Sequence, residues 1–362
     1  MPDGRYSGAD DKQKQAADVM EAALAKENLQ LRHVIGPGTK HAYHPDAKLT
    51  VEQALASIAQ SGARDRFPLS LHFTTQTLKY NQSGWVVIEG IGSHWETATV
   101  DGEYNQTEMT VKTENVTDMR LEFPAGWCAF ALDAAPNLVV DDEELTAPKP
   151  FTDKSWSCSL YRDNERWHVG TRPAAGLRKQ HNLQGPIDDA FMDSFILVRP
   201  TGNARHPDVE KWVQAEMARA IEQWRSHFRG EARVKDDKDI TDKDIAGANL
   251  VLWGDPQSNQ LLGKIADKLP IGWSERELSA GKKFFPADHH ALIMIYPNPL
   301  NPKRYVVLNS GFTFREYDYL NNARQVPKLP DWAVIDLTTP PTARYPGKVT
   351  AADFFDEAWK LK

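Results

Sequence analysis

Five short runs in the second half of the chain constrain its fold more than any other feature. Residues 195–198, 250–253, 292–296, 305–308 and 332–337 are compact, apolar and rich in β-formers. A strand with one wet face alternates polar and apolar residues. One covered on both faces does not, so these runs predict a buried sheet. Between the first two lies a helical pattern: Pro207 suits a first turn, Val209, Trp212, Val213, Ile221, Trp224 and Phe228 line one side, and Gly230 follows as a stop. Residues 257–268 read as a second helix, and the charge-dense 235–244 as a solvated loop with a short helix. Strands alternating with helices predict a small three-layer, Rossmann-like α/β domain over 185–362 with a mostly parallel sheet.

Residues 66–172 have a different period. Leu69, Leu71 and Phe73 alternate with polar residues, as do Met109, Val111 and Thr113, then Met119, Leu121 and Phe123, with Asn115 where a turn is needed. Further strands are expected at 85–88 and 156–160, and Asp163-Asn164 marks a hairpin before Trp167. Many short strands separated by turn residues predict a β-sandwich.

The first 62 residues read helix, strand, loop, helix. Ala16, Val19, Met20, Ala23 and Leu24 share one helical face, 31–35 forms a strand, and Gly36-Pro37-Gly38-Thr39 turns sharply. A capping-box pattern at Thr50-Val51-Glu52-Gln53 predicts a second helix beginning at Thr50, with Val51, Leu55 and Ile58 as its stripe. Two amphipathic helices and one strand have no sheet on which to bury these faces, so other sequence is expected to cover them.

Composition narrows the function. With 362 residues, 41% hydrophobic and 26% charged, the chain is long enough for two or three compact units, and it holds no apolar run near the length of a membrane span. A net charge of −7 argues against nucleic acid or a membrane surface as partner. Cys128 and Cys158 form no C-x-x-C pattern, so a cysteine-based metal or redox site is not expected; a disulfide on neighbouring strands and two buried thiols both fit. The first residues, Met-Pro-Asp-Gly-Arg-Tyr, show no export signal, and localisation stays open.

The sharpest chemical constellation is Asp11 with His41. Asp11 stands just before a helix and His41 on the loop leaving the next strand. In a doubly wound sheet, loops at the carboxyl ends of strands converge, so the two can meet across thirty residues of chain. A carboxylate there would fix the imidazole tautomer, and the imidazole would act as base and acid toward a serine. Asp10 and His44 compete for the same roles.

These residues resemble a known family. Tyr6-Ser7-Gly8-Ala9-Asp10-Asp11 followed by a helix, then His33-Val34-Ile35-Gly36-Pro37-Gly38-Thr39-Lys40-His41-Ala42-Tyr43-His44-Pro45, is similar to the end of the catalytic domain of prolyl-oligopeptidase-like serine peptidases, family S9. Gly185-Pro186-Ile187-Asp188-Asp189-Ala190-Phe191, the 252–259 segment and the 296–302 segment resemble the C-terminal extension of large bacterial members. The resemblance implies a partial α/β-hydrolase lobe over 1–62 with Asp11 and His41 as catalytic acid and base, a peptide or ester substrate and no cofactor. Members of this kind are often exported. The nucleophile elbow G-x-S-x-G is absent from the 362 residues, so the chain alone is expected to be inactive. Ser310, in Asn309-Ser310-Gly311, follows His41 in the wrong order and reads as a turn.

A rival reading makes the chain a non-catalytic module that binds a carbohydrate polymer or a partner subunit. Gly254, Asp255, Ser258 and Asn259 link a strand to a helix whose first amides could hold an anionic or polyhydroxyl ligand, and Tyr296, Asn298, Asn309 and Ser310 would face the same crevice in a doubly wound sheet. Trp85, Trp95 and Trp167 suggest sugar stacking, though such residues are more often core. Asp288-His289-His290 is not expected to bind a metal, because neighbours on a strand point to opposite faces.

Overall fold

A computed structural model of the chain describes residues 4–26, 28–61, 65–315 and 328–362. It is a mixed α/β structure of several sheets and divides into two compact units, 1–68 and 69–362.

In the smaller unit, β1 (Gly4–Gly8) and β2 (Arg32–Gly36) pair in parallel, with Gly8 opposite Gly36 at their carboxyl ends. The helix α1 (Lys14–Lys26) joins them and α2 (Pro45–Ser61) follows. The second helix starts five residues before the expected Thr50. Pro45 already has the backbone angle of a first helical turn, and Thr50 lies inside, its hydroxyl donating to the Asp46 carbonyl at 3.1 Å instead of capping. Ala17 and Ala47 are buried, but Val19 and Leu55 stay about 60% exposed, so the apolar stripes read from the sequence are largely uncovered.

In the larger unit, the period-two segment forms β3 (Ser70–Thr75), β4 (Gln82–Ser83), β5 (Val86–Ile91), β6 (Ala98–Tyr104), β7 (Glu108–Glu114), β8 (Val116–Phe123), β9 (Asn137–Val140), β10 (Glu143–Thr146), β11 (Trp156–Asp163) and β12 (Arg166–Val169). They make two five-stranded sheets, ordered β10-β9-β7-β6-β3 and β12-β11-β8-β5-β4. Asn115, at φ 54°, is a one-residue link from β7 in one sheet to β8 in the other. Aromatic rings fill the space between: Trp85 meets Tyr104 edge-on at 5.7 Å, and Tyr104, Phe123, Phe130 and Trp156 continue the cluster. Gly102 makes room for Trp85, since a Cβ there would lie 2.6 Å from the indole. Trp85 and Trp167 are therefore core residues, and Trp95 is partly exposed beside Phe354. Asn164 and Glu165, both at positive φ, close the expected hairpin. Cys128 and Cys158 are buried free thiols, not a disulfide, and burial pushes the Cys158 thiol up to about 11.

The apolar runs enter a seven-stranded sheet built from β13 (Phe195–Arg199), α3 (Pro207–Phe228), β14 (Val234–Asp236), α4 (Asp242–Gly247), β15 (Asn249–Leu252), α5 (Gln260–Ile265), and, after the small antiparallel sheet of β16 (Gly272–Trp273), β17 (Glu277–Ala280) and β18 (Lys283–Pro286), β19 (His290–Asn298), β20 (Asn301–Leu308), β21 (Trp332–Asp336) and β22 (Lys348–Asp353). The order is β14-β13-β15-β20-β19-β21-β22. Three pairings are parallel and three antiparallel, so the sheet is mixed rather than mostly parallel. The cause is local: Asn298 pairs with Asn301, and a link that short can join only antiparallel strands, whereas a parallel pair needs a crossover of about a dozen residues. The second helix is also shorter than 257–268, because Asn259 caps it and residues 266–268 tighten into a 3₁₀ turn.

Polar contacts tie the five-stranded sheets to the seven-stranded one. Lys79 reaches Asp189 at 2.9 Å, and His94 reaches Glu357 at 2.6 Å. The innermost is Lys179 with Asp331, 2.7 Å apart with both side chains almost fully buried. Asp331 also accepts the Phe355 amide at 3.0 Å, and Lys179 lies over the Trp359 ring. Burial holds the Asp331 carboxyl above its usual range, with Lys179 opposing that shift. Asp188, bonded by the amide and hydroxyl of Thr313, is pushed by burial up to about 6.

Lys179→Met should leave Asp331 buried without its counter-charge and cost about 3–5 kcal/mol of unfolding free energy by urea titration at pH 7. Less should be lost at pH 4, where the folded state can hold a proton on Asp331. The double variant Lys179→Met, Asp331→Asn keeps an acceptor for Phe355 and should recover at least half. For Asp188, the folded carboxyl keeps its proton to about pH 6 and the unfolded one only to 3.8, so stability falls as pH rises between these values. Asp188→Asn should flatten that slope and leave the protein more stable than wild type at pH 7.5, by about 1–3 kcal/mol.

Candidate acid and histidine site

The site grows from two glycines that end neighbouring parallel strands. Beyond Gly8 and Gly36 the two loops are laced together: the Ala9 amide donates to the Gly36 carbonyl at 2.9 Å, and the Asp10 amide to the Thr39 carbonyl at 2.9 Å. A Cβ at position 8 would lie 2.1 Å from the Lys40 carbonyl oxygen, and one at position 36 would lie 2.1 Å from the Tyr6 hydroxyl. Only glycine lets the loops come this close. The Asp11 amide then turns back to the Gly8 carbonyl at 3.1 Å, which places its carboxyl in front of the second loop.

There His41 Nδ1 meets Asp11 Oδ2 at 2.9 Å. Asp11 and His41 form the pair; His44 instead uses its backbone amide, bonded to the Tyr6 hydroxyl, at the entrance to α2. The Asp11 side chain is 14% exposed and the His41 ring 80% exposed, so the carboxyl is the anchored partner. Its other oxygen accepts the Gln13 amide at 2.9 Å. That bond, and then the one from His41, hold the Asp11 carboxyl below its usual range, so it is ionised at neutral pH. With Nδ1 committed to Asp11, Nε2 is the ring nitrogen presented to a reactant. The arrangement can orient an imidazole and fix which of its nitrogens faces outward.

The expected ligand crevice around residues 254–259 is occupied by the protein's own side chains. Gly254 N donates to Asn309 Oδ1, Asp255 N to Ser258 Oγ, and the amides of Gln257 and Ser258 to Asp255 Oδ1. Gln260 N goes to Asp237, and Leu261 N and Leu262 N go to Asn259. The amides that were to hold an anion are already bonded within the protein. Asn309, at φ 50°, binds Gly254 from both its amide nitrogen and its oxygen, and so locks the ends of β15 and β20 together. Ser310 donates to the Gly311 carbonyl at 2.7 Å, in an irregular segment after β20 and not in a hydrogen-bonded turn. Gly254 and Ser258 border a cleft of about 330 Å³ beside Met217 and Ile221 of α3, whereas Asn309 and Ser310 border another of about 430 Å³. Tyr296 and Asn298 belong to neither cleft. Because β19 runs antiparallel, Tyr296 stands level with Val306 and Leu250, away from Gly254, and Asn298 sits in the hairpin at the far end.

His289 pairs with Asp288, whereas His290 bonds the Pro286 carbonyl through its ring nitrogen. The group of possible metal-ligating atoms found among the described residues is one that sequence reading missed: Asp18, Glu21 and His33, within 4.8 Å of one another. Asp18 and Glu21 share a helix face three residues apart and His33 lies on the next strand, a juxtaposition no local pattern reveals. Lys14 already holds Asp18 at 2.5 Å, and His33 bonds Ser7 at 3.0 Å.

Gly8→Ala should push the two loops apart. We expect a loss of about 1–3 kcal/mol in a thermal melt followed by circular dichroism, together with loss of the His41 Nδ1–H signal in nitrogen-edited NMR. Gly38→Ala, with open space around it but φ 60°, should cost about 1 kcal/mol and leave that signal in place. A Gly8→Ala protein with unchanged melting and an unchanged imidazole signal would contradict the steric account of the site. The chain matches no protein-family model, no curated protein and no solved structure.

Proposed function

We propose that residues 4–61 are the acid and histidine end of an α/β-hydrolase catalytic lobe similar to the prolyl-oligopeptidase-like serine peptidases, acting on a peptide or ester bond. The observation that carries the reading is the 2.9 Å bond from His41 Nδ1 to Asp11, made at the carboxyl ends of adjacent parallel strands. The order strand, acid loop, helix, strand, histidine loop, helix supports it. So does the exposure of Val19 on α1 and Leu55 on α2, since apolar helix faces beside a two-stranded parallel sheet are what the edge of a larger sheet would leave to be covered.

In this reading His41 Nε2 takes the proton of a serine hydroxyl as that oxygen attacks the substrate carbonyl. Asp11 holds the ring and stabilises the imidazolium. The proton then passes to the leaving group, and water activated by the same nitrogen releases the acyl group. The serine lies outside these 362 residues, which contain no G-x-S-x-G.

A second reading assigns residues 69–362 to binding or assembly with a polymer or a partner protein, and the two clefts flanking α3 favour it.

The purified chain should take up no fluorophosphonate label and turn over no p-nitrophenyl ester. Extended with the coding sequence that precedes it, it should acquire an in-frame G-x-S-x-G serine that labels, and His41→Ala should slow that labelling at least about a thousand-fold. Serine labelling of the unextended chain that His41→Ala abolishes, or labelling of the extended chain that His41→Ala leaves untouched, would overturn the proposal. Absence of any such in-frame segment would leave the binding reading.

A further inference from the structure

His41 is the member of the pair that packing does least to hold. Its ring is 80% exposed, so the loop beneath it has to set where Nδ1 lies. That loop is organised by one side chain from a different strand. Tyr6, in the middle of β1 and paired with Val34, sends its hydroxyl across the end of β2. The hydroxyl donates to the Ala42 carbonyl at 2.9 Å, accepts the His44 amide at 2.9 Å and lies 3.0 Å from Thr39 Oγ1. Thr39 in turn donates to the Gly36 carbonyl at 3.0 Å. One oxygen atom therefore touches the backbone directly after His41, the residue three beyond it and the residue two before it.

The same hydroxyl explains the bare backbone at Gly36, where a Cβ would stand 2.1 Å from it. It also comes close to the acid's loop: Thr39, whose hydroxyl lies 3.0 Å from that of Tyr6, supplies the carbonyl that accepts the Asp10 amide. The Tyr6 ring stacks on Tyr43 at 4.3 Å, which separates two contributions, ring packing and hydroxyl bonding.

We propose that Tyr6 is the positioning residue of the pair, its hydroxyl clamping residues 39–44 so that His41 Nδ1 stays within reach of Asp11. Tyr6 touches no reacting atom. For its bearing on catalysis the inference rests on the hydrolase reading, but the clamp itself is independent of any substrate.

The test is the His41 tautomer in the full chain, read by long-range nitrogen-proton NMR. Wild type should show the Nδ1–H form that Asp11 selects. Asp11→Ala, which removes every acceptor at that position, defines the signature of the released ring. Tyr6→Phe keeps the ring stack and deletes only the hydroxyl; it should move His41 at least halfway to the Asp11→Ala signature while the helical circular dichroism is retained. A merely structural role for Tyr6 would lower the melting temperature and leave the tautomer alone, and that result would overturn the inference. Tyr43→Leu, which deletes the stack and keeps the hydroxyl, should retain the wild-type tautomer. This second variant decides the matter if Tyr6→Phe fails to fold, because loss of the Nδ1–H form in Tyr43→Leu would mean that ring packing orders the loop. No substrate enters these measurements, so a failed labelling experiment would remove the hydrolase reading without touching the clamp, and an unchanged tautomer in Tyr6→Phe would remove the clamp without touching the hydrolase reading.

Discussion

The approach of two loops at Gly8 and Gly36 is the constraint on which the candidate site depends. Parallel strands deliver their carboxyl ends side by side, but side chains at those ends ordinarily keep the outgoing loops apart. Here both positions are glycine and both are filled from outside, position 8 by the Lys40 carbonyl and position 36 by the Tyr6 hydroxyl. The loops can then exchange backbone bonds, and these bonds bring a carboxylate and an imidazole thirty residues apart to 2.9 Å. Because His41 is largely exposed, its Coulomb attraction to Asp11 is screened by water, and geometry contributes more to the pairing than charge does.

The larger unit is organised on a different principle. Its sheets are built from apolar strands and aromatic clusters, which supply burial without direction. Direction comes from buried polar pairs. Lys179 with Asp331, Tyr305 with Asp189, and Asn309 with Gly254 each carry a high cost if the partner is missing. This also accounts for the crevice around 254–259. Asp237, Asp255, Asn259 and Asn309 together consume the amides that a phosphate or carboxylate would otherwise meet, so the strand-to-helix turn is an internal joint.

Much of this was legible from residue patterns. The two-sided burial of the runs near 195, 250, 292, 305 and 332 follows from their unbroken apolar character, and the two five-stranded sheets follow from alternation at 109–113 and 119–123. The helix of Pro207–Phe228 lies where its periodicity placed it, although Arg229 in the left-handed conformation ends it before Gly230. Where the pattern misled, a competing local rule won. Thr50 carries a capping-box sequence, yet Pro45 had already begun the helix. The run at 292–296 looked like one more parallel strand, yet the few residues separating it from the next force an antiparallel hairpin and carry Tyr296 and Asn298 away from the strand ends near Gly254.

By itself the sequence determined which chemical groups stand at the ends of its strands and in what chain order, because those depend only on periodicity and turn residues a few positions apart. Tertiary structure decided the partnerships: Asp11 with His41 while His44 bonds Tyr6 through its backbone, Lys179 with Asp331, and Asp18, Glu21 and His33 within 4.8 Å of one another. The physical reason is range. A residue's preference for helix, strand or turn is settled by neighbours within a few bonds, whereas a hydrogen bond depends on positions to within a fraction of an ångström, and only the assembled chain supplies those.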